Sequence, residues 1–312
     1  MTSARSGFFE DIRGSLRGLL AAGLVSLALA TPAEAADPCA DWVPQPKPQN
    51  ASRDIVGQDI DQIRERGYMT FAFYEDYPPY SFEQGGKITG VDVDVARLIA
   101  EFIGVDARFK LVAAGENLEA DLRNNIWKGA IVGGAVSNVM MRIPYDSSFK
   151  CRVEQVVFPG QYQEERIAIA YRIDAYPEEK PVPAYFRFDT VAVENDSLSD
   201  FYLTSFAGGQ TAAGVRRYPT MAEAMAALNA GETMAAMGPR AQLEFFAGEG
   251  VGIHEPPLAG LAKSRWPIGT AVHFSYRPLS YEVGDAISAA LADGRIADIF
   301  AKYGLTHTPP KW

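Results

Sequence analysis

The stretch Tyr77–Gly104, YPPYSFEQGGKITGVDVDVARLIAEFIG, decides the fold. It follows an apolar run, Met69–Tyr74, that reads as a strand. Tyr77, Pro78, Pro79 and Tyr80 make an aromatic, proline-rich loop, and Gly85, Gly86 and Gly90 mark a reversal before a helix. Val95, Leu98, Ile99 and Phe102 follow helical spacing and predict one buried face. Asp92 and Asp94 fall in the first turn, where the helix dipole favours negative charge, and Gly104 stops the helix.

Strand-like and helical segments alternate outward from this unit, as α/β layers with mostly parallel sheets require. Ala107–Ala113 reads as a strand, 118–128 as a helix with Leu118, Leu122 and Ile126 on one face, and Ala130–Val136 as a small apolar strand. The Gly133-Gly134 pair inside that strand permits close backbone approach. Further strands are expected at Glu165–Tyr171, Thr190–Glu194 and Gly269–Tyr276. Thr220 and Glu223 have capping-box spacing ahead of a stripe of Met221, Ala224, Met225 and Leu228. A helix opened by Ser280 buries Val283, Ile287 and Leu291, and a last helix carries Ile296, Ile299, Phe300 and Tyr303.

Arg5, Arg13 and Arg17 precede an apolar run, Gly18–Ala30, and Ala33-Glu34-Ala35 supplies the small residues of a cleavage site. A secretory signal over 1–35 is expected, since the run is short for a membrane anchor. Its three arginines balance Glu10, Asp11 and Glu34, so cleavage leaves the net charge at −10. That charge argues against nucleic acid and anionic membranes as partners, and no membrane span is expected in the mature chain. The run from Asp174 to Asp200 is strongly acidic, either a solvated face or a docking surface for a basic partner. Cys39 and Cys151 are the only cysteines, and in an oxidising compartment they predict one disulfide. A lipid anchor on Cys39 is the rival, without the small apolar residues such a site needs before it.

Tyr77-Pro78-Pro79-Tyr80, Gly90-Val91-Asp92-Val93-Asp94 and the ending from Asp293-Gly294 to Tyr303-Gly304 resemble, in order and separation, the extracellular solute-binding proteins of family 3. The likeness covers nearly all of Arg53–Leu305. It implies a two-lobed periplasmic binding protein fold: two mixed, mostly parallel sheets flanked by helices and joined by two hinge crossovers. The implied organisation is a signal peptide (1–35), a Pro-rich leader (36–52), lobe I (53–165), lobe II (166–268) and a return to lobe I (269–312). The run Asp121–Gly129 followed by Gly133-Gly134, with Met237-Gly238-Pro239-Arg240, is similar to the J proteins of methanol oxidation clusters, MxaJ and especially XoxJ. That branch implies an accessory role beside a periplasmic PQQ-dependent methanol dehydrogenase, the lanthanide-dependent kind for XoxJ.

Family 3 receptors for amino acids hold the carboxylate with an arginine placed three residues after a Thr or Ser. Counting from Ser137 puts Met140 at that place, and Arg142 serves only after a shift of two residues. Met234 and Pro239 stand where acidic residues for the ammonium group are usual, while Tyr77, Tyr80 and Phe82 keep the aromatic part. An unpaired α-carboxylate is too costly to bury, so an amino acid is disfavoured. The expected cleft residues are Tyr77, Tyr80, Phe82, Trp127, Met140, Met141, Arg142 and Met234, suited to an apolar group or a partner's protruding side chains. The methionines also fit plain core positions.

Enzyme chemistry finds little support. His254, His273 and His307 lie apart from one another and from the cysteines, with no metal-ligand spacing. No catalytic residue, metal or cofactor is expected. The expected function is a non-catalytic periplasmic accessory protein for the dehydrogenase; the alternative is an ABC-transporter receptor for a small solute other than an amino acid.

Overall fold

A computed structural model describes residues 39–40, 57–131 and 134–311. The expected signal segment and most of the expected leader lie outside the described residues, as does Gly133.

The chain opens with α1 (Ile60–Arg66), β1 (Tyr68–Tyr74), β2 (Phe82–Gln84), β3 (Lys87–Thr89), α2 (Val91–Ile103) and β4 (Asp106–Val112). Next come α3 (Leu118–Leu122), β5 (Val139–Pro144), α4 (Ser147–Arg152), β6 (Val156–Val157) and the long β7 (Gln163–Arg172). The second lobe holds β8 (Val191–Glu194), α5 (Leu198–Gly209), β9 (Val215–Tyr218), α6 (Met221–Asn229), β10 (Ala235–Pro239), α7 (Arg240–Phe246) and β11 (Val251–His254). The chain closes with β12 (Arg265–His273), α8 (Arg277–Ala292) and α9 (Arg295–Lys302).

In the first lobe β1 pairs in parallel with both β4 and β5; in the second, β8 pairs in parallel with β9 and β10. The two parallel groups meet through β7 in one hydrogen-bonded path, β4-β1-β5-β12-β7-β10-β8-β9. The first residues of β7, Gln163–Arg166, pair with β12, and Ile167–Tyr171 pair with β10. One strand therefore leaves the first lobe and enters the second, which makes β7 one of two crossings between the lobes; the chain returns through β12, which pairs with β7 and then with β5.

Helices cover both faces of each lobe. In the first lobe α2, α8 and α9 pack Val95, Ile99, Val283, Ile287 and Phe300 onto Phe71 and Phe73 of β1. A separate cluster of Leu122, Ile126, Trp127 and Met140 fills the opposite face. In the second lobe Tyr202 and Leu203 of α5 cover one face, and Met225 and Leu228 of α6 cover the other. The capping-box reading holds in geometry, since the Thr220 side chain accepts from the Glu223 amide at 3.2 Å.

Several local expectations change. The strand expected at 130–136 is absent among its described residues; the pairing strand is β5, which begins at Val139. The helix expected over 118–128 is α3 followed by a π-turn, Arg123–Trp127. Phe102 is 44 % exposed, and Ile103 takes the inward place. The helix expected to open at Ser280 begins at Arg277.

The expected disulfide is present: Cys39 and Cys151 are joined with their Cα atoms 5.6 Å apart, closing a separation of 112 residues onto α4. Among the described residues no helix is long and apolar enough to cross a membrane.

Candidate functional site

The aromatic loop folds back on the strand it leaves. The Tyr77 amide donates to the Ser81 carbonyl at 2.8 Å, and Ser81 Oγ donates to the Tyr74 carbonyl at 2.6 Å. The start of α2 lies against this loop: the Val91 and Asp92 amides donate to the carbonyls of Pro79 and Tyr80, both at 3.0 Å. First-turn amides have no partner within their own helix, so the loop satisfies them. Gly90 permits the approach, because a Cβ there would sit 2.2 Å from the Tyr80 carbonyl oxygen.

Arg142 reaches this loop through a kink in β5. Ile143 pairs with Gly269 and Met140 with Ala271, so Met141 and Arg142 together oppose Thr270 in a β-bulge. Arg142 has a left-handed backbone, φ 60°, a costly conformation for a non-glycine residue. The bulge aims the guanidinium at the tyrosines: its carbon lies 3.3 Å from the Tyr80 ring centroid and 4.8 Å from that of Tyr77. Its Nη2 is 3.6 Å from Glu165 Oε2, both side chains being buried. Tyr80 donates its hydroxyl to the same carboxylate oxygen. Burial and the charge of Glu165 push the Tyr80 hydroxyl well above its ordinary range, so it stays a donor.

A second buried carboxylate lies beside this pair. Asp92 is 1 % exposed, and its Oδ1 accepts from the Tyr162 hydroxyl at 2.7 Å. Among the described residues its Oδ2 has no hydrogen-bond partner, and neither has Arg142 Nη1. Burial raises the Asp92 carboxyl from the usual 3.8 to about 6, against the lowering pull of Arg142 and of the Tyr162 hydrogen bond. The dipole role read for both first-turn acids suits Asp94, which pairs with Arg97 and Lys302 near the surface. Asp92 belongs instead to a buried network with Tyr162, Arg142, Glu165 and Tyr80.

Above the network lies a cavity of about 360 Å³ walled by Tyr74, Glu75, Tyr77, Leu118, Arg142 and Trp266. A neighbouring cavity of about 510 Å³ shares Leu118, Pro144 and Trp266, and adds Phe149, Arg152, Lys263 and, from the second lobe, Leu198. Its carboxylate, Asp146, is paired with Lys263. Both openings lie beyond the carboxyl ends of β1, β4 and β5, where open α/β sheets place their ligands.

The sequence profile described as "Bacterial extracellular solute-binding proteins, family 3" matches residues 69–133. The L-cystine-binding protein TcyJ of Escherichia coli (strain K12) is 36 % identical over 52 residues, 16 % of this chain and 20 % of that protein. The chain thus aligns with about a fifth of the length of its curated relative. Among solved structures, an ancestral cationic amino acid solute-binding protein, AncCDT-1, superposes with TM-score 0.65 at 20 % identity, covering 78 % of this chain and 99 % of its own. A Streptococcus pneumoniae amino acid ABC transporter substrate-binding protein bound to L-arginine superposes with TM-score 0.56 at 18 % identity, covering 80 % and 99 %. The fold is that of the two-lobed periplasmic binding proteins.

In this binding-protein scaffold the expected cleft residues separate into two groups. Tyr77 and Arg142 line the smaller cavity, with Tyr80 buried directly behind them. Phe82 turns toward the second lobe, its ring edge-on to Phe245 of α7 with centroids 5.6 Å apart. Met140 and Met141 do not line the cleft: β5 is covered on both faces, so these neighbours point into opposite cores and are fully buried. Trp127 is buried in the same cluster as Met140. Met234 precedes β10 and its carbonyl accepts from the Arg172 amide, at the end of the ladder away from the hinge. Sequence reasoning missed Trp266, Leu118 and Phe149 on the cavity walls, and Asp92, Tyr162 and Glu165 beneath them.

Proposed function

We propose that this chain is a non-catalytic periplasmic binding protein whose inter-lobe cleft receives an apolar segment of a protein partner. The observation that carries this reading is the larger cavity: Leu118 and Phe149 wall it on the first lobe, Leu198 on the second, and Trp266 of β12 packs against the cores of both. Phe201, one turn beyond Leu198 on α5 and 62 % exposed, extends the apolar surface outside it. The resemblance to the MxaJ and XoxJ proteins points to a PQQ-dependent methanol dehydrogenase, of the lanthanide-dependent kind, as the partner, with maturation or activation as the step assisted. The test is biolayer interferometry of the immobilised chain against purified holo-dehydrogenase. Saturable binding weakened at least about tenfold by Trp266→Ala or Leu198→Asp supports the reading. Absence of binding at tens of micromolar, with no change in dehydrogenase activity or metal loading, refutes it.

A second reading rests on the smaller cavity, where Arg142 and Glu75 present opposite charges within about 360 Å³. A relative named for L-cystine binding, and a structural neighbour that is an amino acid ABC transporter substrate-binding protein, favour a small-solute receptor serving an ABC permease. A thermal-shift screen separates the two, because a solute at a hundredfold excess over its Kd stabilises a receptor by about 2.7 kcal/mol.

A further inference from the structure

The network beneath the cleft holds more negative than positive charge. Its members come from four places: Tyr80 from the loop after β1, Asp92 from α2, Arg142 from β5, and Tyr162 with Glu165 from the root of β7. With both carboxylates ionised it carries two negative charges against one guanidinium, all buried. Asp92 Oδ2 then has no donor among the described residues, the arrangement that burial penalises most. A proton on Asp92 makes the network neutral.

The other charged groups nearby are committed elsewhere. Lys302 and Tyr303 of α9 both bond Asp94, at 2.6 and 2.8 Å. His307 of the C-terminal segment contacts the Tyr162 carbonyl at 2.8 Å, and burial lowers its pKa from 6.5. Glu164 faces Arg166 and Arg265 on the hinge. Tyr77 stacks on Tyr80 with ring centroids 6.1 Å apart.

Three contacts of the network fasten a strand that joins the lobes. Tyr162 is held by Asp92, and Glu165 by Tyr80 and Arg142, immediately before β7 passes from β12 to β10. We propose that Asp92 is a proton-controlled latch on the hinge, holding the root of β7 to the first lobe when protonated and loosening it when ionised. Loss of the proton strengthens the Tyr162 hydrogen bond itself but leaves a buried net charge, and burial outweighs that bond, so opening or water entry at Tyr162 relieves the ionised network. The hinge is then stiff in mildly acidic surroundings and freer at neutral and alkaline pH, whatever occupies the cleft.

Hydrogen exchange of the full chain at pH 5 and pH 8, corrected for intrinsic rates, tests the latch on peptides spanning Tyr162–Arg172. The expected result is at least about tenfold weaker protection at pH 8, since each unit of displaced titration is worth a factor of ten. Asp92→Asn, which keeps the acceptor for Tyr162 and removes the charge, should be protected alike at both values. Tyr162→Phe should loosen the same peptides at pH 5. Equal protection of the wild type at both values overturns the proposal, as does a pH dependence that survives in Asp92→Asn. Should Asp92→Asn fail to fold, carbon NMR of the wild-type carboxyl decides: titration in the usual aspartate range overturns the latch, and titration near neutrality supports it.

Discussion

Replacing Arg142 by Met removes the only cation of the buried network while keeping most of its length. Glu165, 1 % exposed, and Asp92, also 1 % exposed, then share a site without a positive charge. Stripping one partner from a buried pair costs about 3–5 kcal/mol, because the remaining charge stays desolvated. That cost is not constant with pH. In the native protein burial raises the Asp92 carboxyl from 3.8 to about 6, so the folded state binds more protons than the unfolded state in that window. Stability therefore falls as pH rises through it, by on the order of 3 kcal/mol in all. Arg142 is among the forces holding this value down, so Arg142→Met moves the titration higher and extends the loss toward alkaline pH. The assay is urea unfolding under non-oxidising, non-reducing conditions at pH 5, 7 and 8. The variant should lose more stability at pH 8 than at pH 5 by about 1 kcal/mol or more. Adding Glu165→Gln should restore a large part of the loss, since a neutral side chain no longer needs the guanidinium. An equal loss at all three values, with no rescue by the second substitution, would falsify this account of the network.

The disulfide should dominate the response to reductant: Cys151→Ser removes a closure of 112 residues, with a loss of up to about 4–5 kcal/mol in urea midpoint analysis. Gly90→Ala forces a Cβ to within 2.2 Å of the Tyr80 carbonyl oxygen and should cost at least about 2 kcal/mol, measured by thermal unfolding. Met140→Ala should behave as a core truncation, costing about 2–5 kcal/mol in stability while leaving partner affinity of the folded fraction unchanged. Leu198→Asp, at a position 40 % exposed on the cavity wall, should do the reverse, with a small effect on unfolding and a large one on binding in the interferometry assay.

The aromatic loop, the glycine reversal and the helix that follows were readable because each depends on neighbours in sequence. The C-cap at Gly104, with φ 84°, and the Thr220 cap are of the same local kind. The disulfide was readable because only two cysteines exist. Arg142 was readable only as a candidate displaced by two residues, because its direction is set by a bulge against Thr270, a residue of a strand more than a hundred positions away. Spacing from Ser137 assumes an unbroken loop there, whereas β5 continues to Pro144 and α4 is capped by Asp146. Met140 and Met141 looked available for the same reason: a central strand covered on both faces buries successive residues alike.

Asp92 is the instructive case, because its burial was within reach of the pattern that concealed it. The stripe drawn through Val95, Leu98, Ile99 and Phe102 ends on a residue that is 44 % exposed. Drawn through Val95, Ala96, Ile99 and Ile103, all buried, the same 3.6-residue period runs back to Asp92. Asp94, two residues on, turns about 200° away and meets Arg97 and Lys302 near the surface. An acidic residue on an otherwise apolar stripe must find a donor or keep a proton. Here one oxygen accepts from Tyr162 and the other has no partner among the described residues, while burial raises the carboxyl's pKa. The stretch that announces the scaffold thus also carries the group on which the hinge's response to pH turns.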